Sequence, residues 1–457
     1  MIPMPIDFIN RKTELEHLRE LKGLIPPPFV VIVGRRRVGK TRLVLEFLDT
    51  VESSAYFFVE EKKPYILLND FSRIAGERVV FRDWEGFIRH VLASFDVVVL
   101  DEFQNFGRVD PSFFSALQKV VDEEDSHAML ITVGSYVGMM KKIFQDNKSP
   151  LFGRATEIWT LPPLPMKDII PVIKGTDENR ISIYSMFGGY PKYHVILQQY
   201  RVHRVEEVVE KLVIRNYAPL SKEPYNLLRL EFGGEYRAYF SLLEAIAMGK
   251  CSYVDIANYT GISSTTLARY LNDLLAYGVI EKRFPVTEGI NSKKTRYFIR
   301  DQFIRFWFRF IFPNMNLVEA EKHDDLMNIV RNELPLFVSW EFEQIVRSVV
   351  KSIYPRSGSW WNRKGDEMDV VGIDDKRGRI LFGEVKWSNR KVGWSTVKSL
   401  IGKSGFVSGF GNYEKKYLLV SKSGFSTHCM TQMEKEYIQH WDLLDLMAIL
   451  RGKEPDL

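Results

Sequence analysis

The chain has 457 residues, 45% of them hydrophobic and 26% charged, with a formal net charge of +5. That length is too great for one hydrophobic core and implies about two to four domains. The modest charge excludes a chain that is basic throughout, so any nucleic-acid surface must be a local patch.

The N-terminal "MIPMPIDFINRKTELEHL" lacks the positive start and apolar run of a secretory signal. No apolar stretch reaches membrane-spanning length, so no membrane partner is expected. The two cysteines, Cys251 and Cys429, stand far apart with no histidine cluster nearby, which excludes a structural zinc site and fits a reducing cytoplasm. From Phe29 to Val133, short β-rich runs alternate with amphipathic helical runs. Strands are predicted at roughly Phe29–Val33, Ala55–Val59, Val97–Leu100 and Met129–Val133, giving a mostly parallel α/β sheet with helices on both faces.

The first strand runs into "GRRRVGKT", which fits G-x-x-x-x-G-K-[ST] through Gly34, Gly39, Lys40 and Thr41. The glycines let the backbone curl so that the N–H groups of the stretch Gly34, Arg35, Arg36, Arg37, Val38, Gly39, Lys40, Thr41 and Arg42 can surround a phosphate. Lys40 then reaches the β- and γ-phosphates of ATP, the Thr41 hydroxyl ligates Mg²⁺, and the helix that follows turns its positive end to the anion. The third strand, "VVVL", ends in Asp101 and Glu102, at the carboxyl end where ligands sit in such sheets. Asp101 is expected to hold Mg²⁺ through water, and Glu102 to polarise the attacking water. The fourth strand ends at Ser135, which either contacts the γ-phosphate or caps a helix. Arg154, in "SPLFGRA", is either an arginine finger acting on a neighbouring subunit's ATP or an ordinary surface arginine.

"LPPLP" at Leu161–Pro165 marks a connector, and residues 166–220 read as a helical lid. In order, "FINRKTELEHL", "GRRRVGKT", "LDEFQ", "VGSYVGMM", "SPLFGRA" and "MFGGYPKYH" resemble the archaeal ATPase family, a branch of the AAA+ and STAND-like P-loop ATPases. The resemblance covers residues 6–215. It implies an ATPase core over 1–165, with Phe8, Ile9 and Arg11 near the adenine and Gly188 to Pro191 closing the lid.

Residues 225–312 have a different texture. A helix through Phe240 and Leu243, a turn at Thr260-Gly261-Ile262, a second helix lined by Leu267, Leu271 and Leu274, and two strand-like pieces at Val279–Phe284 and Thr295–Ile299 read as a winged helix-turn-helix. Thr265, Arg269 and Asn272 would face outward, and Lys293, Lys294 and Arg296 would form a basic wing. Such a module suits DNA; it equally suits packing between domains. The aromatic run "FIRFWFRFIF" reads as a core helix.

The last region, 313–457, returns to α/β texture. Met368–Ile373 and Ile380–Trp387 read as two strands around "DDKRGR". If Asp374 pairs with Arg379, Asp369 comes opposite Glu384, and Lys386 shares that face. Two carboxylates this close call for a cation, and Mg²⁺ is the natural one. The alternative is a surface hairpin with a carboxylate–lysine pair. D-x(14)-E-x-K, preceded by a helix with Glu343, resembles the PD-(D/E)xK superfamily, a restriction-endonuclease-like fold; Met368 stands where proline is frequent. The resemblance implies metal-dependent phosphodiester hydrolysis by Asp369, Glu384 and Lys386 assisted by Glu343, with Glu341 as the weaker alternative. The expected whole is therefore a cytoplasmic ATP- and Mg²⁺-dependent protein acting on DNA through a nuclease domain. The other reading is a regulatory switch that assembles with itself or a protein partner and binds without cutting.

Overall fold

The computed structural model describes residues 8–76, 80–123, 127–215 and 217–457. The first seven residues, part of the N-terminal stretch read above, lie outside them. The chain divides into two compact units. One comprises Met1–Leu164, Tyr190–Ile196 and Ala276–Gly278; the other comprises Pro165–Gly189, Leu197–Leu275 and Val279–Leu457.

The first unit holds five parallel strands: β1 (Phe29–Val33), β2 (Ser54–Phe58), β3 (Val97–Asp101), β4 (Met129–Gly134) and β5 (Glu157–Thr160), in the order β2-β3-β4-β1-β5. β1, β3 and β4 are buried along their whole length. This is why they read as continuous apolar runs: a parallel strand covered on both faces has no polar side to alternate with. β2 is at an edge and alternates. An aromatic cluster of Phe57, Phe71, Trp84, Phe87, Phe103 and Phe113 fills the face below β2 and β3. The strand order places β4 between β1 and β3, so the carboxyl ends of all three lie side by side at a crossover, the usual place for a ligand.

The second unit contains a five-stranded mixed sheet in the order β12-β11-β10-β9-β8 and a two-stranded antiparallel hairpin. The hairpin is β6 (Ile280–Arg283) with β7 (Arg296–Ile299). The sheet is β8 (Arg356–Trp361), β9 (Glu367–Asp374), β10 (Arg379–Lys386), β11 (Glu414–Ser421) and β12 (Gln439–Trp441). β8, β9 and β10 are antiparallel, while β11 and β12 run parallel to β10. Before the hairpin come α1 (Tyr236–Ala247), α2 (Tyr253–Thr260), which ends at Gly261, and α3 (Ser264–Ala276). Leu267, Leu271 and Leu274 of α3 are buried, as the spacing predicts. A 29-residue helix, α4 (His323–Lys351), packs on the sheet.

The region expected as a lid is helical, yet it does not stay together. Pro165–Gly189 groups with the second unit and Tyr190–Ile196 with the first. The cause lies in the helix Asp177–Phe187, which is buried at seven positions and sets Phe187 against Phe303, ring centroids 5.2 Å apart. The aromatic run forms a short helix, Gln302–Phe306, continued by a π-turn, Trp307–Ile311. Arg305 does not break that core; it is buried within it, over the rings of Phe337 and Trp340 at 4.2 and 4.0 Å.

Candidate active sites

At the end of β1 the chain must turn sharply. A side chain at Gly34 would place its Cβ 2.9 Å from the Leu161 carbonyl oxygen. Gly39 takes a left-handed φ of 95° immediately before the helix Lys40–Leu48. Lys40 is buried at the start of that helix, its ammonium donating to the carbonyls of Gly34 at 2.8 Å and Arg35 at 3.0 Å. Burial brings its pKa down to about 8, against the pull of Glu102 and Asp101. A lysine so held is shielded from solvent and poised for an anion.

Asp101 is fully buried and is the hub of the site. Its carboxylate accepts from the Thr41 hydroxyl at 2.6 Å, the Tyr56 hydroxyl at 2.8 Å and the Glu102 N–H at 2.8 Å. Burial and the Asp101 charge keep the Tyr56 phenol protonated, its pKa pushed far up. Glu102 has a left-handed φ of 54°. Its carboxylate accepts from the Ser135 hydroxyl at 2.7 Å and the Gln104 amide at 2.5 Å, while the Gln104 carbonyl accepts the Ser135 N–H at 3.2 Å. Ser135 is therefore no helix cap; the helix Val137–Gln145 has Tyr136 at its N-cap. Gln104 and Tyr56 were not singled out in the sequence. Tyr56 could have been: it is the polar residue near the end of the strand beside β3.

The other expected nucleotide residues occupy distinct places. Arg11 holds the loop from behind, donating to the carbonyls of Val38 at 3.3 Å and Pro162 at 2.5 Å, and pairs with Glu14. Arg36 donates to the Tyr136 hydroxyl at 2.8 Å, Arg37 lies over the Tyr193 ring, Arg35 reaches the Gly278 carbonyl at 3.5 Å, and Arg42 pairs with Glu46. Phe8 and Ile9 are half-buried. Arg154 makes two bonds of 2.8 Å to Asp122 on its own surface.

The second site lies where β9 and β10 part. Their pairing follows the predicted register, from Asp374 opposite Arg379 to Val370 opposite Gly383. One step further, the Asp369 carboxylate caps the Val385 N–H at 2.8 Å instead of continuing the ladder. Lys386 lies 2.6 Å from Glu384 and 3.9 Å from Asp369. The other Glu384 oxygen takes Lys403 at 3.2 Å, a lysine the sequence did not suggest. Glu343 pairs with Arg347 at 2.9 Å; burial, then the Asp369 charge, push its carboxyl up to about 8. Burial and Glu384 raise Asp369 as well. Glu341 points elsewhere, buried against Gln302 at 3.1 Å and Arg305 at 3.5 Å.

Among the described residues no group of three or more His, Cys, Asp and Glu side chains is gathered closely enough to hold a metal. Asp369 and Glu384 nonetheless fit Mg²⁺, which binds through one or two carboxylates and takes its remaining oxygens from water and phosphate. Burial is the main cause that raises Asp369, and the Glu384 charge, which comes second, is the part that a divalent cation would relieve. Thr41 and Asp101 offer the matching hydroxyl–carboxylate pair beside the phosphate loop.

Of the residues expected to face DNA, Thr265 and Lys293 are exposed. Arg269 is exposed and pairs with Glu235 at 3.4 Å. Lys294 and Arg296 are engaged within the unit. Lys294 pairs with Glu288, and its carbonyl accepts from the Trp361 indole at 3.0 Å. Arg296 pairs with Glu367 and lies over the Trp361 ring. The hairpin thus rests on the edge strand β8, to which Val286 adds a backbone bond to Ser359 of 3.0 Å.

Residues 26–170 match the family described as "AAA domain", and residues 307–397 match the family described as "Archaea bacterial proteins of unknown function". "Uncharacterized protein MJECL04" of Methanocaldococcus jannaschii is 31% identical over 436 residues, which span 91% of this chain and 95% of that protein. "Uncharacterized ATP-binding protein MJ0423" of the same organism is 45% identical over 42 residues, 9% of this chain and 71% of that protein. The solved Walker-type ATPase PABY2304 of Pyrococcus abyssi shares the fold, with a TM-score of 0.51 at 18% identity over 66% of this chain and 96% of that one. Among the described residues no helix is long and apolar enough to cross a membrane.

Proposed function

Because the chain belongs to the family of Methanocaldococcus jannaschii protein MJECL04 and carries the AAA domain of an ATPase, we propose that its ATP cycle controls a second, DNA-acting unit that hydrolyses phosphodiesters. In the ATP site, Lys40 takes the β- and γ-phosphates, and Thr41 and Asp101 would hold Mg²⁺, which would supply charge neutralisation at the phosphates. Glu102 orients the attacking water; Ser135 and Gln104 set its carboxylate. Arg11 fixes the back of the loop.

In the second unit, α2, α3 and the hairpin are read as a winged helix, and the sheet β8–β12 with α4 as a restriction-endonuclease-like domain. The observation that carries the nuclease reading is the meeting of Asp369, Glu384 and Lys386 at one sheet margin, with Lys386 2.6 Å from Glu384 and 3.9 Å from Asp369. Mg²⁺ held by Asp369 and Glu384 would stabilise charge on a phosphodiester. Lys386 orients a water, and Glu343 holds a proton at neutral pH. The test is incubation of the full chain with single-stranded, duplex and branched DNA, Mg²⁺ and ATP. Cleavage above that of an Asp369→Ala variant supports the reading; none on any substrate counts against it.

One observation favours a regulatory switch instead. Both oxygens of Glu384 already face ammonium groups, from Lys386 and Lys403, so the local charge is balanced without a metal. Mg²⁺ titration followed by thermal unfolding separates the two: stabilisation lost in Asp369→Ala supports a metal site, and no stabilisation supports the switch.

A further inference from the structure

The phosphate loop carries three successive arginines; Arg36 is exposed, while Arg35 and Arg37 are half-buried. The Arg36 guanidinium donates to the Tyr136 hydroxyl at 2.8 Å and lies over the Tyr136 ring, 5.0 Å from its centroid. A phenol holds a cation without neutralising it. Among the described residues Arg36 pairs with no carboxylate, whereas three nearby arginines do. Arg42 pairs with Glu46, Arg11 with Glu14, and Arg108, which approaches the same tyrosine ring at 6.0 Å, with Glu61. Arg36 thus keeps a full positive charge, parked on a neutral acceptor.

The backbone fixes where that charge sits. β1 and β4 run parallel with Val33 opposite Gly134, and the Gly34 N–H donates to the Gly134 carbonyl at 3.2 Å. Two residues beyond each glycine come Arg36 and Tyr136. Tyr136 is buried and follows Ser135, whose hydroxyl donates to Glu102 at 2.7 Å. Arg36 and Glu102 therefore flank the same strand ends, one from the loop and the other from β3. Lys40 registers the nearness: burial lowers its pKa most, Glu102 and Asp101 pull it up, and the Arg36 charge lowers it again. A phosphate oxygen accepts from a guanidinium more strongly than a phenol does, because both partners are then charged. An anion in the loop would therefore draw Arg36 off Tyr136.

We propose that Arg36 is a catalytic residue of the ATPase reaction, its side chain leaving Tyr136 for the γ-phosphate and stabilising the charge that shifts there as the bond breaks. In that step the water oxygen bonds to the γ-phosphorus, the bond from that phosphorus to the bridging oxygen breaks with its electron pair left on ADP, and the water's proton passes to Glu102. An arginine supplied from the same chain can serve this purpose as well as one from a neighbour. Arg154, the other arginine considered for it, is bound to Asp122. The inference rests on reading this site as one that hydrolyses ATP, and it makes the stabilising cation part of the chain's own loop.

The test uses the full chain and has two arms. The first needs no hydrolysis: AMP-PNP, which keeps a γ-phosphate, and ADP are titrated with Mg²⁺ into wild type and Arg36→Ala. AMP-PNP affinity is expected to fall about tenfold, the scale of one hydrogen bond to a charged group, with ADP affinity unchanged. An equal loss for both nucleotides, or no loss for either, overturns the contact. The second arm is turnover, with Lys40→Ala as the zero. In Arg36→Ala kcat is expected to fall about a hundredfold or more, with an unchanged unfolding midpoint. Millimolar guanidinium in the buffer should restore part of it, which damage to the loop would not allow. Arg36→Lys, charged but unable to fork, should fall between wild type and Arg36→Ala. Turnover of Arg36→Ala within about threefold of wild type overturns the catalytic role. So does recovery on mixing Arg36→Ala with Lys40→Ala, since the arginine would then act between subunits. If wild type itself leaves ATP uncut, the ATPase reading fails, and the nucleotide titration alone decides whether Arg36 meets the γ-phosphate.

Discussion

Replacing Glu343 by glutamine should stabilise the protein at neutral pH, and the size of the gain follows from its surroundings. The carboxyl is buried beside Asp369, which pushes its pKa from the ordinary 4.5 up to about 8. In the unfolded chain it ionises near 4.5, so between that pH and 8 folding must take up a proton. Wild-type stability from this group is intact below pH 4.5 and is lost progressively as pH rises to 8. At pH 7 the cost is about 3 kcal/mol at most, since each pH step above the unfolded pKa costs roughly 1.4 kcal/mol. Glutamine has the shape of the protonated acid and can still accept from Arg347, now 2.9 Å from Glu343. Glu343→Gln should therefore match wild type near pH 4.5 and exceed it increasingly towards pH 8. Denaturant unfolding of the full chain in EDTA, followed by tryptophan fluorescence across that pH range, measures this directly. Identical pH slopes for the two proteins, or a glutamine variant that is less stable at pH 7, would refute the reasoning.

Lys40→Ala should abolish ATP binding, read by nucleotide titration, because no other cationic side chain in the loop is buried at the phosphate position. Glu102→Gln should keep nucleotide affinity while lowering turnover by about a hundredfold or more, the scale of losing a positioned general base. Ser135→Ala frees one oxygen of Glu102 and should alter the ATPase rate with little change in ATP affinity; a pure stability loss would contradict its assigned place. Arg305→Met leaves Glu341 buried without its counter-ion and should destabilise the second unit by about 3–5 kcal/mol, measured by the denaturant midpoint.

Much of the ATPase unit was legible because its physics is local. Parallel strands covered on both faces leave uninterrupted runs of valine and isoleucine, and a phosphate loop needs glycines at fixed spacing. The β9–β10 register was also legible, because the parity of the Asp375–Gly378 turn decides which side chains share a face. What escaped was set by partners distant in sequence. Arg296 reads as a groove-seeking cation until its partner Glu367, 71 residues later, is known. Lys403 meets Glu384 only because the helix Trp394–Ser404 folds back over β10. Edge strand β8 gave no usable signal: Gly358 sits at an irregularity in its pairing, and alternation fails there. The division of 166–220 depends on which neighbour covers Phe187, and no local pattern encodes that.

The long helix α4 carries Glu341 and Glu343 two positions apart, which on an α-helix turns them roughly 200° from each other. One is gripped by Arg305 and Gln302 of the aromatic segment, and the other looks onto Asp369. The helix thus has a partner for a carboxylate on each of two nearly opposite sides, so rolling it to loosen one would also disturb the other. The two contacts share one helical phase, and a single residue inserted between the two glutamates would turn one of them about 100° away from its partner.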